Sequence, residues 1–185
     1  MVLRTGIACT LPAVVGMLLA LPTAGQAAQT TQGASDVSLF TISKSENRNQ
    51  VQYVVRVDEH CTPLTDAPVW AYWRMIELGP TRTAPVLGRE QPAYGAAGEW
   101  VLERSPEGGK IRLVLRAMPS RPIEVETGRS PAGNCIATST ATISGGPAHI
   151  FGVYVKLKWP IGVDYLLIQG WSLDGTHVVT ERVKG

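Results

Sequence analysis

From Val37 onward, apolar and polar positions alternate along most of the chain. Val51, Tyr53, Val55 and Val57 are interleaved with Gln52 and Arg56, and Ile111, Leu113 and Leu115 with Arg112 and Arg116. Val153, Val155 and Leu157 alternate with Tyr154, Lys156 and Lys158. A period of two, rich in β-branched and aromatic residues, predicts strands with one face in the core and one in water. Further strands are predicted at 37–43, 68–77, 99–103, 121–126, 134–143, 163–172 and 176–183. The breaks carry turn chemistry: Glu107-Gly108-Gly109, Pro119-Ser120, Pro131-Ala132-Gly133-Asn134, Ser144-Gly145-Gly146-Pro147 and Asp174-Gly175. The last, between two strand-like runs, is a hairpin signal. About ten short strands at this spacing predict an all-β fold, a single antiparallel β-sandwich or barrel-like sandwich.

One stretch breaks the alternation. Leu87, Glu90 and Tyr94 fall at i, i+3 and i+7 between Ala84 and Gly95, one face of a short helix. Pro92 limits it to a turn or two and Gly95 is placed to stop it, so a short helical excursion is expected near 84–93.

The first residues follow a different rule. Arg4 is the sole charge before Asp36, and the apolar stretch Ile7–Leu21 leads to small residues at Gly25 and Ala27. This is the pattern of a secretory signal, residues 1–27, cleaved after Ala27. The rival is a retained anchor, although the run is shorter than the roughly 20 residues a spanning helix needs. Residues 28–36 are small and polar, as in a flexible leader, and 37–185 form the single β-rich domain. The expected product is exported to the periplasm or beyond, with no stable membrane span once the signal is removed.

Composition agrees with one exported domain. The 185 residues are 44% hydrophobic and 17% charged with a net charge of +2, too apolar for disorder and too near neutral to steer the chain to nucleic acid. Export gives the cysteines a meaning. Cys9 leaves with the signal, and Cys61 and Cys135 remain as an even pair, which in an oxidising compartment reads as a disulfide. His60 beside Cys61 has no second cluster of ligands, so no metal site is expected, and nothing points to a cofactor.

Signatures of catalysis are missing. The sequence contains no G-x-S-x-G, H-E-x-x-H, P-loop or G-x-G-x-x-G. Gly108-Gly109-Lys110 ends like a phosphate loop but continues with Ile111 instead of a hydroxyl residue, and reads as a turn. His60, His149 and His177 are scattered singly. Two groups stand out instead. Trp70 and Tyr72 share one strand face while Trp73 looks the other way, a source of either core filling or a stacking platform. Ser45-Glu46-Asn47-Arg48-Asn49-Gln50 is a dense polar run whose Asn side chains suit either backbone bonds or a ligand.

The same segments carry a resemblance. Leu39-Phe40-Thr41-Ile42, then Lys44-Ser45-x-Asn47-x-Asn49 and Val51-x-Tyr53, resemble the opening of the bacterial envelope family catalogued as domain of unknown function 4833. Pro68-Val69-Trp70-Ala71-Tyr72-Trp73 is similar to that family's proline-led V-Y-W strand, with Ala71 replacing its Val. Arg89-Glu90-Gln91-Pro92-Ala93-Tyr94-Gly95 resembles its E-R-x-x-A-Y-G segment, with Pro92 as a departure. Ile150-Phe151-Gly152-Val153, Val163-Asp164-Tyr165 and Val178-Val179-Thr180-Glu181-Arg182 complete the ordered set, over about 39–183. The resemblance implies a secreted or periplasmic domain and no particular reaction.

Two functions follow as expectations. The first is a non-catalytic envelope module binding a protein or glycan partner, with Asn47, Asn49, Tyr72, Trp73, Glu90 and Tyr94 as its binding residues. The second is an envelope hydrolase or transferase with a polar cleft around Glu90. A lone carboxylate with no visible partner suits binding better than acid–base work, so no catalytic residue is assigned. The Ser45–Gln50 and Arg89–Gly95 segments are expected to pack together. Glu90 would accept hydrogen bonds from Asn47, Asn49 or backbone N–H groups over a floor of Trp73 or Tyr72.

Overall fold

A computed structural model describes residues 33–64, 67–97, 103–105, 108–158 and 162–184. The expected signal at 1–27, most of the leader and most of the strand expected at 99–103 lie outside the described residues. In chain order the elements are β1 (Ser35–Lys44), β2 (Asn47–Val57), β3 (Val69–Arg74) and a 3-10 turn at Ile76–Leu78. Next come β4 (Thr83–Pro85), a second 3-10 turn at Gly88–Glu90, α1 (Gln91–Tyr94), β5 (Ala96–Ala97) and β6 (Glu103–Ser105). The remainder is β7 (Gly108–Leu115), β8 (Pro122–Arg129), β9 (Cys135–Ile143), β10 (Gly146–Leu157), β11 (Val163–Ser172) and β12 (Val178–Lys184). The protein is mostly β with one short helix, as its alternation predicts. Among the described residues no helix is long and apolar enough to cross a membrane.

The strands form a single connected sheet in the order β4-β3-β2-β1-β10-β9-β8-β7-β5, with β11 and β12 branching from β10 and β6 pairing β7. Its path ends at β4 and β5, so the sheet is open. β10 is the branch point. Gly146–His149 pair antiparallel with β9, Gly152–Val155 pair with β1, and β11 runs along the opposite edge from Ala148 to Leu157. The register slips between Ile150 and Gly152, a bulge that bends the strand where its partner changes from β9 to β1.

The expectation of a purely antiparallel sheet is corrected here, because β1 and β10 run parallel. The sense of a pair is forced only by a tight hairpin; β1 and β10 are joined through all the intervening strands, which leaves a parallel match open to them.

Side chains from both arms of the sheet meet in one core. Phe40, Tyr53, Val55 and Trp73 from the β1–β3 arm join Ile111, Leu113, Ile123 and Val125 from the β7–β8 arm, together with Val153 and Ile168. Tyr53 and Phe40 stack with ring centroids 4.7 Å apart. Gln52 is buried yet satisfied, its amide donating to the carbonyls of Phe40 and Tyr53 beside a slip in the β1–β2 register.

Cys61 and Cys135 form a disulfide with Cα atoms 5.3 Å apart. It fastens the turn after β2 to the start of β9, at the base of the β8–β9 hairpin, and so joins the two arms. Asp58 shapes that turn by accepting the N–H groups of His60 and Thr62 through its Oδ1. The Arg129 guanidinium donates to the Glu59 carbonyl across the same junction.

Candidate functional site

The polar run after β1 folds into a tight turn at Ser45–Glu46, so Asn47 and Asn49 open β2 instead of lying in a loop. Ser45 fixes this turn against β10: its N–H donates to the Val155 carbonyl at 3.0 Å, and its hydroxyl accepts the Leu157 N–H at 3.1 Å. The two asparagines turn inward on the backbone. Asn47 Oδ1 accepts the Asn49 N–H at 3.1 Å, and Asn49 Oδ1 accepts the N–H of Glu77 in the 3-10 turn after β3 at 3.2 Å.

The expected helix near 84–93 is built differently from its pattern. β4 comes first, and the 3-10 turn Gly88–Glu90 and the four-residue α1 supply the helical part. Pro92 sits in the first turn of α1, where a missing N–H costs nothing. Gly95 stops the helix in extended backbone, not in a left-handed cap. A side chain there would meet the Gln91 carbonyl oxygen first, then Gln91 Oε1 at 2.6 Å and Arg116 Cδ at 3.0 Å. Tyr53 reaches out of the core to hold this end, its hydroxyl donating to the Tyr94 carbonyl at 2.6 Å. Burial pushes the Tyr53 phenol well above its usual range, with Tyr94 adding to the rise, so it remains a donor.

Between these segments lies a groove of about 320 Å³ lined by Lys44, Asn47, Asn49, Trp73, Met75, Ala84, Pro85, Leu87 and Glu90. Trp73 forms its floor. The indole N–H donates to Glu90 Oε2 at 3.0 Å, and the ring meets Tyr94 edge-on at 5.1 Å. Lys44 Nζ stands 5.4 Å from the Trp73 ring centroid and 3.6 Å from Glu46. Glu90 Oε2 also accepts the Leu87 N–H at 2.8 Å, the return half of a capping box. Burial raises the Glu90 carboxyl, but the Leu87 and Trp73 N–H groups outweigh it with help from Arg89 and Lys44. The carboxyl therefore lies below its ordinary value and is ionised at neutral pH. Tyr94 moves the other way, raised by burial and by the charges of Glu90 and Glu46.

Of the residues expected to form a site, Asn47, Asn49, Trp73 and Glu90 line this groove and Tyr94 supports its floor. Tyr72 does not join them. It faces the other side of β3, its ring 5.0 Å from that of Trp70, because successive residues of a strand point to opposite faces. Glu90 is bonded to Trp73 and Leu87, whereas the Asn47 and Asn49 acceptors are directed to backbone N–H groups; of the donors expected for Glu90, only the backbone one is found. Lys44, Met75, Ala84, Pro85 and Leu87 were missed as lining residues. Lys44 abuts the polar run and Leu87 belongs to the helical stripe, but nothing local marks Met75, Ala84 or Pro85. Among the described residues no group of three or more His, Cys, Asp or Glu is arranged to hold a metal ion.

The family model Domain of unknown function (DUF4833) matches residues 40–182, which hold every residue lining the groove. Neither a curated protein nor a solved structure matches the chain.

Proposed function

Since the chain belongs to the DUF4833 family, whose description assigns no reaction, we propose from the groove alone that this is a non-catalytic binding module of the bacterial envelope. The observation that carries this reading is the fixed, ionised carboxylate of Glu90 beside the largely buried indole of Trp73 that floors the groove. Trp73, Met75 and Leu87 offer apolar area, and Glu90 offers an acceptor that is already oriented, the usual division of labour in a recognition site. Acid–base chemistry would instead favour a carboxyl tuned up toward neutrality, and the Glu90 neighbours tune it down. Export to an oxidising compartment fits the Cys61–Cys135 bridge and the signal-like first residues. The two sheet arms around one core fit a sandwich with the groove at one end, where recognition sites are commonly carried.

The partner presents a hydrogen-bond donor to Glu90 next to an apolar group that covers Trp73. Two probes represent the envelope chemistries, an N-acetylglucosamine tetramer and a short lysine-containing peptide. Titration of labelled protein should move the Trp73 indole N–H resonance with at least one probe, and Glu90→Gln should abolish that shift. Silence toward both probes, or a shift that survives Glu90→Gln, overturns the reading.

A further inference from the structure

The outer face of β10–β12 carries a second surface, well apart in chemistry from the groove. Val179, Val183, Leu166 and Ile168 turn to the core, so the alternate residues of β11 and β12 face outward. The pairing aligns Lys156 with Tyr165 and Lys184 in one row, and Tyr154 with Leu167 and Arg182 in the next. Tyr154 and Tyr165 lie 6.5 Å apart, and Arg182 stacks over Tyr165 at 3.9 Å. Here a depression of about 320 Å³ is lined by Asp164, Tyr165, Arg182 and Lys184. Farther along the strands, Phe151 and Trp171 form a second aromatic pair, 6.0 Å apart and both exposed. Six residues of β11 separate the two tiers, roughly 20 Å.

The cations of this face differ from four that are paired across neighbouring strands or loops. Arg56, Lys110, Arg112 and Arg121 each meet a carboxylate on a neighbouring strand or loop. Among the described residues, Lys156, Arg182 and Lys184 meet none, although they crowd adjacent rows where like charges repel. An arginine stacked on a ring is held in place with its N–H edge free, the arrangement that accepts a carboxylate in two parallel bonds.

We propose that this face binds an extended anionic glycan, a chain of uronic acid units. Its carboxylates lie on Arg182, Lys184 and Lys156, and its sugar faces stack on the Tyr154–Tyr165 and Phe151–Trp171 tiers. A sugar ring needs a flat apolar contact flanked by polar groups, and Gln169 and Thr180 occupy the row between the tiers. A neutral glycan would leave three cations against the single carboxylate of Asp164, which lines the same depression.

The test is calorimetric titration of the whole protein with a galacturonic acid hexamer, beside a glucose hexamer, an oligoglutamate and an oligothymidylate. The galacturonate should bind, more weakly as salt rises, and the glucose hexamer should not. Arg182→Gln with Lys184→Gln, and separately Trp171→Ala, should each weaken binding by about tenfold or more. Arg112→Gln, which removes a charge elsewhere on the sheet, should leave it unchanged, and thermal melts establish that each variant folds. No binding of galacturonate, equal binding by Arg112→Gln and the double variant, or tighter binding of oligoglutamate or oligothymidylate overturns the proposal.

Discussion

Tyr53 and Glu90 show how single side chains set up the groove. Tyr53 is fully buried, yet its hydroxyl is the bond that holds the end of α1. Tyr53→Phe keeps the stack on Phe40 and leaves the Tyr94 carbonyl without its donor, so it should lower unfolding free energy by about 1–3 kcal/mol in urea titrations. Glu90 is a different case. It is partly solvated, and Glu90→Gln still presents an oxygen to Trp73 and Leu87, so the unfolding free energy from urea titration should fall by less than about 1 kcal/mol. Its charge, however, is the feature assigned to recognition. Because its carboxyl lies below the ordinary 4.5, binding should hold from neutrality down through that value and fail only in stronger acid.

At the scale of elements, short segments are fixed by what they touch. Gly95 is needed for space, with its φ of −70° in ordinary territory for any residue. Gly95→Ala should therefore cost about 1–3 kcal/mol through displacement of Gln91 and Arg116, and should perturb the Trp73 indole resonance as α1 shifts. The turn after β2 depends on the disulfide in a comparable way. Replacing Cys61 and Cys135 together by Ser should reduce stability by roughly 2–5 kcal/mol, read from denaturant midpoints with and without reductant. Intact protein measured without reductant should lack the two thiol hydrogens. At the far side of the sheet, Ser144 and Gly145 both have positive φ, the mirror-image turn that joins β9 to β10 with two residues. That hairpin was legible because Gly-rich turn chemistry is local. The parallel β1–β10 pair was not, because no residue of β1 carries a mark of a partner so distant in the chain.

Across the whole molecule, the last strand is tied to the other arm by charge. Arg121, just before β8, grips Glu181 of β12 through both guanidinium nitrogens, and Glu181 also accepts the Ser144 N–H. These bonds hold the Glu181 carboxyl at about 2 against an ordinary 4.5. A carboxyl depressed by folding adds stability above its unfolded value and loses it as pH falls toward the folded one. The clamp should thus be intact at pH 6 and weaken between about 4.5 and 2, and Glu181→Gln should flatten that part of the acid-unfolding curve. Solvent screens the pair, so the same variant should cost only about 1 kcal/mol at neutral pH.

Alternation, turn residues and an even cysteine pair are properties of neighbours or of counts, and by themselves they determined the β class, most strand positions, the bridge and the opposed faces of Tyr72 and Trp73. The groove needs Lys44, Met75, Pro85 and Glu90 at one place, and the basic face needs Lys156, Arg182 and Lys184 in adjacent rows. Both depend on strand pairing and register, which are settled by the packing of the whole core; only the tertiary structure could decide them.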